Sequence, residues 1–501
     1  MINVLEALEE NAQKYPKKIA FSDELDSCTY LQLMNRARKI GTALSKRVKR
    51  KRPIPVFMEK SVDTIAAFMG ALYAGNFYVL IDIKQPRSRI LQILDVLECD
   101  YILTSEKFLD DWTRLEIKSD ILLLQELDQC AADETLLDQV AKQRMDVDPL
   151  YGIFTSGSTG VPKGVVVSHR SVIDFIRYFT EIFHITERDV IGNQAPWDFD
   201  VSVKDIYSAI FTGATVQIIP RRMFSFPTQL LDFMIEREVT TLIWAVSALC
   251  IITTLKGFEY RVPDKLKKVM FSGEVMPVKH LNIWRNYLPD VQYVNLYGPT
   301  EITCNCTYYI IDREFETGEK IPVGKAFPNE KVFLLSESDE EVTEVGVCGE
   351  ICVSGTALAL GYYNNPEQTE KAFVRNPLNK CYPELIYRTG DLGYYDDERN
   401  LYFKCRKDFQ IKHMGHRIEL GEIENAMESI SEISRCCCLF DEKKNKIVAF
   451  YDGNIEKREL KKKIGKLLPN FMLPNVLQLM EDMPLTKNGK IDRTKLREEY
   501  L

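Results

Sequence analysis

Apolar positions recur at helical spacing over residues 4–16 and 30–48, and Thr29-Tyr30-Leu31-Gln32-Leu33 opens the second of these helices. A strand-like run at 54–58 follows, then a helix through Thr64-Ile65-Ala66-Ala67-Phe68-Met69-Gly70-Ala71-Leu72-Tyr73. The continuous run Phe77-Tyr78-Val79-Leu80-Ile81-Asp82 comes next. Strand and helix alternating at this spacing predict a parallel sheet with helices on its faces. Residues 100–145 continue the pattern less clearly and end in a charged connector poor in apolar residues. Ser168 to Phe183 has the spacing of an amphipathic helix, and His169 at its start reads as a capping or packing residue. Val203, Ile206, Tyr207 and Ile210 make the apolar face of a further helix. Leu242-Ile243-Trp244-Ala245-Val246 reads as a buried strand. From about 320 the period shortens. Glu350-Ile351-Cys352-Val353-Ser354-Gly355 and Leu360-Gly361-Tyr362-Tyr363 predict antiparallel strands and turns, hence a small barrel-like subdomain.

Composition narrows the classes. With 501 residues, 45% hydrophobic and 28% charged, the chain has room for two to four structural units. A net charge of -8 argues against nucleic acid as the main partner, which would want a basic face. The cluster Lys46-Arg47-Val48-Lys49-Arg50-Lys51-Arg52 reads as a solvated helix end before Pro53. No apolar stretch approaches the roughly 18 to 20 residues of a membrane span, so no membrane insertion is expected. The opening Met-Ile-Asn-Val-Leu-Glu-Ala-Leu-Glu-Glu does not look like a leader, and a cytoplasmic location is the expectation. Thirteen scattered cysteines fit reduced, buried thiols. Cys304 and Cys306, Cys348 and Cys352, and Cys436-Cys437-Cys438 lack a histidine or a second pair at metal-ligand spacing.

The chemistry gathers around Thr155-Ser156-Gly157-Ser158-Thr159-Gly160-Val161-Pro162-Lys163-Gly164, set between the apolar runs 150–154 and 165–167. Glycines let the backbone turn several N–H groups toward one anion, the hydroxyls add donors, and Lys163 adds a positive charge. That combination suits a polyphosphate. It is not a P-loop, because Lys163 precedes Gly164 and a β-branched run rather than Ser or Thr opening a helix. A serine-glycine linker is the alternative, but linkers rarely carry a proline-lysine pair between two strands.

Six later motifs follow in order: Trp197-Asp198-Phe199-Asp200-Val201-Ser202, Phe271-Ser272-Gly273-Glu274, Asn295-Leu296-Tyr297-Gly298-Pro299-Thr300-Glu301, Tyr387-Arg388-Thr389-Gly390-Asp391-Leu392, Arg406-Lys407-Asp408 and Leu485-Thr486-Lys487-Asn488-Gly489-Lys490. With the loop at 155, this set resembles the adenylate-forming superfamily over essentially the whole chain. The resemblance extends to amino-acid adenylation domains of nonribosomal peptide synthetases and to D-alanine:carrier-protein ligases.

That resemblance implies an α/β fold: a large N-terminal domain of βαβ-type subdomains with the small barrel-like subdomain (1–404), then a small mobile α+β C-terminal domain (405–501). It implies MgATP-dependent formation of an acyl-adenylate with release of pyrophosphate, then transfer to a thiol. Thr155, Ser156, Gly157, Ser158, Thr159, Gly160 and Lys163 would hold phosphate. Asn295, Tyr297, Gly298, Thr300, Asp391 and Arg406 would hold the nucleotide, with Asp391 on the ribose hydroxyls. Glu301 would bind Mg²⁺, Lys490 would be catalytic and Asp408 the hinge. The family usually has glycine where this chain has Cys405.

Asp200 matches the aspartate that pairs with a substrate α-ammonium, with helix capping as the alternative reading. Asp198 reads as a cap. The substrate pocket would comprise Asp200, Val201, Lys204, Trp244, Met270, Ser272, Leu296, Cys304 and Asn305, with Trp244 narrowing it. Lys204 leaves two readings open: a buried ammonium that wants an anionic or polar substrate side chain, or a lysine that snorkels out along its helix. The expected partners are an amino acid and a separate phosphopantetheinylated carrier protein. The competing class is an acyl-CoA synthetase acting on a carboxylic acid without an amino group. Residues 405–501 carry 19 Lys and Arg against 16 Asp and Glu, which contrasts with the acidic remainder and would suit an acidic carrier.

Overall fold

The computed structural model describes residues 1–156, 161–316, 318–407, 410–480, 483–485 and 491–501. Contacts group the chain into two units. One holds Met1–Ile83, Cys99–Ile153 and Val165–Lys407; the other holds Lys84–Glu98, Phe154–Gly164 and Asp408–Leu501.

Two large sheets dominate the first unit. In the nine-stranded sheet, Gln292–Tyr297, Lys268–Ser272, Thr241–Ala245, Val190–Asn193, Thr215–Ile218 and Ile19–Ser22 lie side by side in that order. All these neighbours run parallel. Antiparallel strands Thr307–Ile310, then Lys325–Ala326, close one edge, and Ser27–Thr29 closes the other. The seven-stranded sheet has the order Gly361–Tyr362, Lys163–Ser168, Pro149–Thr155, Phe77–Ile81, Pro53–Phe57, Tyr101–Thr104, Asp120–Leu123. Its central strands Pro53–Phe57 and Phe77–Ile81 are buried at every position, which explains their continuous apolar runs. Residues 100–145 continue the strand–helix alternation, and the stretch expected as a charged connector at their end forms a helix. They supply the last two strands of this sheet, Tyr101–Thr104 and the edge strand Asp120–Leu123, and the helices Glu106–Arg114, Leu124–Asp128 and Glu134–Ala141.

Local signals set the helix ends. Thr29 accepts from the Gln32 backbone N–H while the Gln32 side chain accepts from Thr29, a capping box that starts the helix Tyr30–Ser45. Ser168 caps His169–Ile182 through the Ser171 N–H. His169 is a packing residue: its Nδ1 accepts from the Val4 N–H at 3.3 Å, and burial pushes its pKa down to about 3. The subdomain expected to be barrel-like is a five-stranded antiparallel sheet built from Glu330–Leu335, Gly349–Gly355, Leu385–Tyr395, Phe373–Arg375 and Leu401–Arg406, whereas Gly361–Tyr362, expected with it, pairs with Lys163–Ser168 in the seven-stranded sheet.

The second unit is α+β. A hairpin, Gln410–His413 with His416–Glu419, turns at Met414 and Gly415, both at positive φ, as a tight two-residue hairpin turn requires. A three-stranded sheet, Ile433–Asp441, Lys446–Gly453 and Val476–Leu479, packs with the helices Leu420–Glu428 and Lys457–Ile464 around a core that includes Ile423, Met427, Tyr451, Leu460 and Met472. Arg493 fixes the last helix by a two-pronged contact with Glu424 at 2.8 and 2.6 Å. Arg89 belongs to this unit, buried against Glu422 at 2.7 Å.

Candidate active site

The site of the larger unit forms where parallel strands end. Gln292–Tyr297 runs into Gly298, and a short turn at Thr300–Ile302 leads to Thr303 and Cys304, both left-handed, with φ of 55° and 83°. The chain doubles back so tightly that a Cβ on Gly298 would stand 2.6 Å from the Asn305 Cα. Only glycine admits this approach. It brings Cys304 and Asn305 beside the strand end, where the helix Val201–Thr212 reaches them.

That helix is not amphipathic as its sequence suggested. Lys204, Asp205, Ser202 and Ser208 are buried along with Val203, Ile206, Tyr207 and Ile210. Lys204 is 0% exposed and does not snorkel. Its Nζ donates to Asn305 Oδ1 at 2.5 Å and lies 3.4 Å from Ser272 Oγ. Asp200 stands at the position before the first helical turn, but its side chain makes no capping bond. Asp198 lies two residues earlier, so it is not the cap that the sequence suggested. Burial pushes the neighbouring Cys304 thiol up to about 12, keeping it neutral. Asp205 accepts from Asn193 Nδ2 at 2.6 Å; burial raises it to about 7 against the pull of that bond and of Lys204 and Lys60. Lys60 donates to Asn193 and to the Gln194 carbonyl, and burial lowers it to about 7.

Register decides which expected pocket residues meet. Trp244 pairs with Phe271, and Phe271 with Asn295, whereas Ile243 pairs with Met270 and Met270 with Val294. Side chains alternate along each strand. Met270, Ser272 and Leu296 therefore share one face, on which Lys204 meets Ser272, while Trp244 faces the other way. Trp244 is packed in the core with Leu242, Phe271 and Leu249, and its Nε1 donates to the Gly192 carbonyl at 2.6 Å. Its expected role of narrowing the pocket is not what this packing gives it. Val201 is half-buried at the helix start.

A second cluster lies at Asp391, which is 1% exposed. Tyr297 Oη donates to its Oδ2 at 2.5 Å and Arg406 Nη1 to its Oδ1 at 2.6 Å. Arg406 also donates to the Thr389 carbonyl. The Asn295 side-chain amide donates one N–H to the Pro322 carbonyl at 2.8 Å. Glu301, also buried, accepts from Tyr362 Oη at 2.7 Å, and Thr300 is buried beside it in the same turn.

In the smaller unit, Ser156 Oγ donates to the Arg417 carbonyl at 2.9 Å, and the Thr155 carbonyl accepts from Arg89 at 3.3 Å. Lys163 is half-buried at the start of its strand. Gly157, Ser158, Thr159, Gly160, Asp408 and Lys490 lie outside the described residues. Sequence reasoning passed over Tyr151, Tyr362 and Lys60. A tyrosine within a fully apolar strand run, as at Tyr151 and Tyr362, was the available signal.

A family model for AMP-binding enzymes matches residues 8–363. The chain belongs to the AMP-binding enzyme family. This AMP-binding enzyme is 32% identical over 500 residues to zwittermicin A synthase ZmaJ of Bacillus cereus, covering 97% of this chain and 93% of that protein. It is 30% identical over 505 residues to tyrocidine synthase 1 of Brevibacillus parabrevis, and there it spans 100% of itself but only 45% of the relative. Among solved structures, holo-PA1221, an NRPS protein containing adenylation and PCP domains, superposes with a TM-score of 0.85 at 25% identity over 99% of this chain and 84% of that one. The Vibrio cholerae adenylation domain AlmE, in complex with glycyl-adenosine-5'-phosphate, shares the fold at a TM-score of 0.86 and 20% identity, over 100% of this chain and 98% of that one.

The AMP-binding chain therefore has the α/β adenylation-domain fold. Among its described residues no helix is long and apolar enough to cross a membrane. The cysteines are free thiols, and no group of three or more His, Cys, Asp or Glu among those residues is arranged to hold a metal ion.

Proposed function

We propose that this enzyme activates an amino acid with MgATP and passes the aminoacyl group to the phosphopantetheine thiol of a carrier protein. The observation that carries the reading is Asp200: a carboxylate at a helix start that makes no capping bond, one turn before the buried Lys204 and within electrostatic reach of the buried Cys304 and Tyr151. A carboxylate so placed suits a substrate α-ammonium.

In the first step an oxygen of the substrate carboxylate forms a bond to the α-phosphorus as the bond to pyrophosphate breaks. Two anions must meet, so the protein's work is positioning and charge control. Asp391 already accepts from Tyr297 and Arg406, yet a carboxylate offers about four lone-pair sites. It retains capacity for two ribose hydroxyls, with Tyr297 and Arg406 fixing its orientation. Thr155 to Lys163 would hold the leaving pyrophosphate, and Lys490 would bridge carboxylate and α-phosphate.

Glu301 and Thr300 fit Mg²⁺, which binds through one or two carboxylates and otherwise takes phosphate oxygens and water. Tyr362 orients the Glu301 carboxylate. Bound there, the ion would neutralise phosphate charge. In the second step the thiol sulfur attacks the adenylate carbonyl and AMP leaves. The segment 405–501 is assigned as the mobile domain that serves both steps, with Asp408 as its hinge.

Substrate-dependent exchange of pyrophosphate into ATP tests the reading. Asp200→Asn should lower exchange with the amino acid by about 100-fold while barely changing exchange with the deaminated acid. An equal loss with both, or a wild type that prefers the deaminated acid, would favour an acyl-CoA synthetase instead.

A further inference from the structure

The substrate side chain can be read one step further, on the basis of the amino-acid reading above. Lys204 is an enclosed cation whose two hydrogen-bond partners are both neutral. Asn305 Oδ1 and Ser272 Oγ take two of its three N–H groups, the second at a long 3.4 Å. Among the described residues no carboxylate oxygen comes within 4.0 Å of its Nζ. Asp205, the next residue, directs Oδ2 to Asn193 instead. Cys304 stays a neutral thiol. An ammonium buried without an anion is costly, and an ion pair removes most of that cost.

A second observation points the same way. Tyr151 is 0% exposed, its hydroxyl has no hydrogen-bond partner, and it lies within electrostatic reach of both Asp200 and Cys304. A buried phenol with an unspent O–H is ready to meet an acceptor. Asp200 and Lys204 are four residues apart, so they lie on one helix face about 6 Å apart along the axis. That separation fits a substrate whose α-ammonium and side-chain anion are divided by one or two methylene groups.

We propose that the substrate is a dicarboxylic α-amino acid, its side-chain carboxylate ion-paired with Lys204 and accepting the Tyr151 hydroxyl proton in a hydrogen bond.

The test is pyrophosphate exchange by the full chain with both enantiomers of aspartate, glutamate, asparagine, glutamine, alanine and leucine. One of the dicarboxylic acids should give the highest kcat/KM, about 100-fold above its own amide. Lys204→Met should invert that ratio in favour of the amide, and Lys204→Arg should preserve it. Alanine, leucine or an amide outranking both dicarboxylic acids in the wild type would overturn the assignment. So would an acid-to-amide ratio unchanged in Lys204→Met. If no amino acid supports exchange and a non-amino acid does, the amino-acid reading itself falls; a neutral amino acid as best substrate removes only the present inference.

Discussion

Arg406 and Lys204 are both cations sunk into the larger unit, and only one of them meets an anion supplied by the chain. Arg406 faces Asp391 at 2.6 Å, and that carboxylate is steadied from its other side by Tyr297. Lys204 meets only an amide oxygen and a hydroxyl. The contrast teaches that burial alone does not reveal a side chain's role. A cation paired internally is part of the scaffold, here fixing the orientation of the Asp391 carboxylate. A cation with neutral partners is poised for an anion that the chain does not provide.

The largest effect should come from breaking the closed pair. Asp391→Ala leaves the half-buried Arg406 without its counter-charge and should cost about 3 kcal/mol in urea unfolding. A loss below about 1 kcal/mol would mean that Arg406 simply turns outward and the contrast with Lys204 is weak. Next, Gly298→Ala forces a Cβ against the Asn305 backbone and should cost about 2 kcal/mol. Because the displaced residue is the main partner of Lys204, substrate preference should change with it; a stability loss with unchanged preference would uncouple the turn from the pocket.

A pH series sharpens the comparison further. Asp205, next to Lys204, has its ordinary value of 3.8 raised to about 7 by burial. Between about pH 4 and 7 the folded state keeps a proton that the unfolded state has released, so stability falls as pH rises through that window. Asp205→Asn should remove this fall, gaining up to about 4 kcal/mol on the wild type between pH 4 and 8. Parallel stability curves would show that Asp205 is ionised throughout. Lys60, lowered to about 7, contributes the opposite slope above pH 7. The smallest effect is the most telling in sign. Lys204→Met replaces an unneutralised buried charge with an apolar chain and should raise stability by about 1 kcal/mol. A loss of several kcal/mol would place Lys204 with Arg406, as scaffold.

The chain's order of residues was enough to establish the family, the α/β class and most element positions. Each of those rests on local facts: the apolar period along Pro53–Phe57 and Phe77–Ile81, the Thr29 and Ser168 caps, and motifs whose residues are neighbours in the chain. It also named Asp391, Arg406 and Tyr297 as one functional group, although they come from three separated motifs. Strand register and chain reversal, which exist only in three dimensions, decided the rest. Trp244 and Met270 looked like co-lining residues, yet a one-residue offset across neighbouring strands sends their side chains to opposite faces of the sheet. Lys204 could have reached solvent until the Gly298 turn folded Asn305 over it. Tyr151 read as one more apolar strand residue, because an unspent hydroxyl exists only relative to what surrounds it. Local periodicity is written along one dimension. Whether a buried charge finds its counter-charge depends on which distant segments close around it.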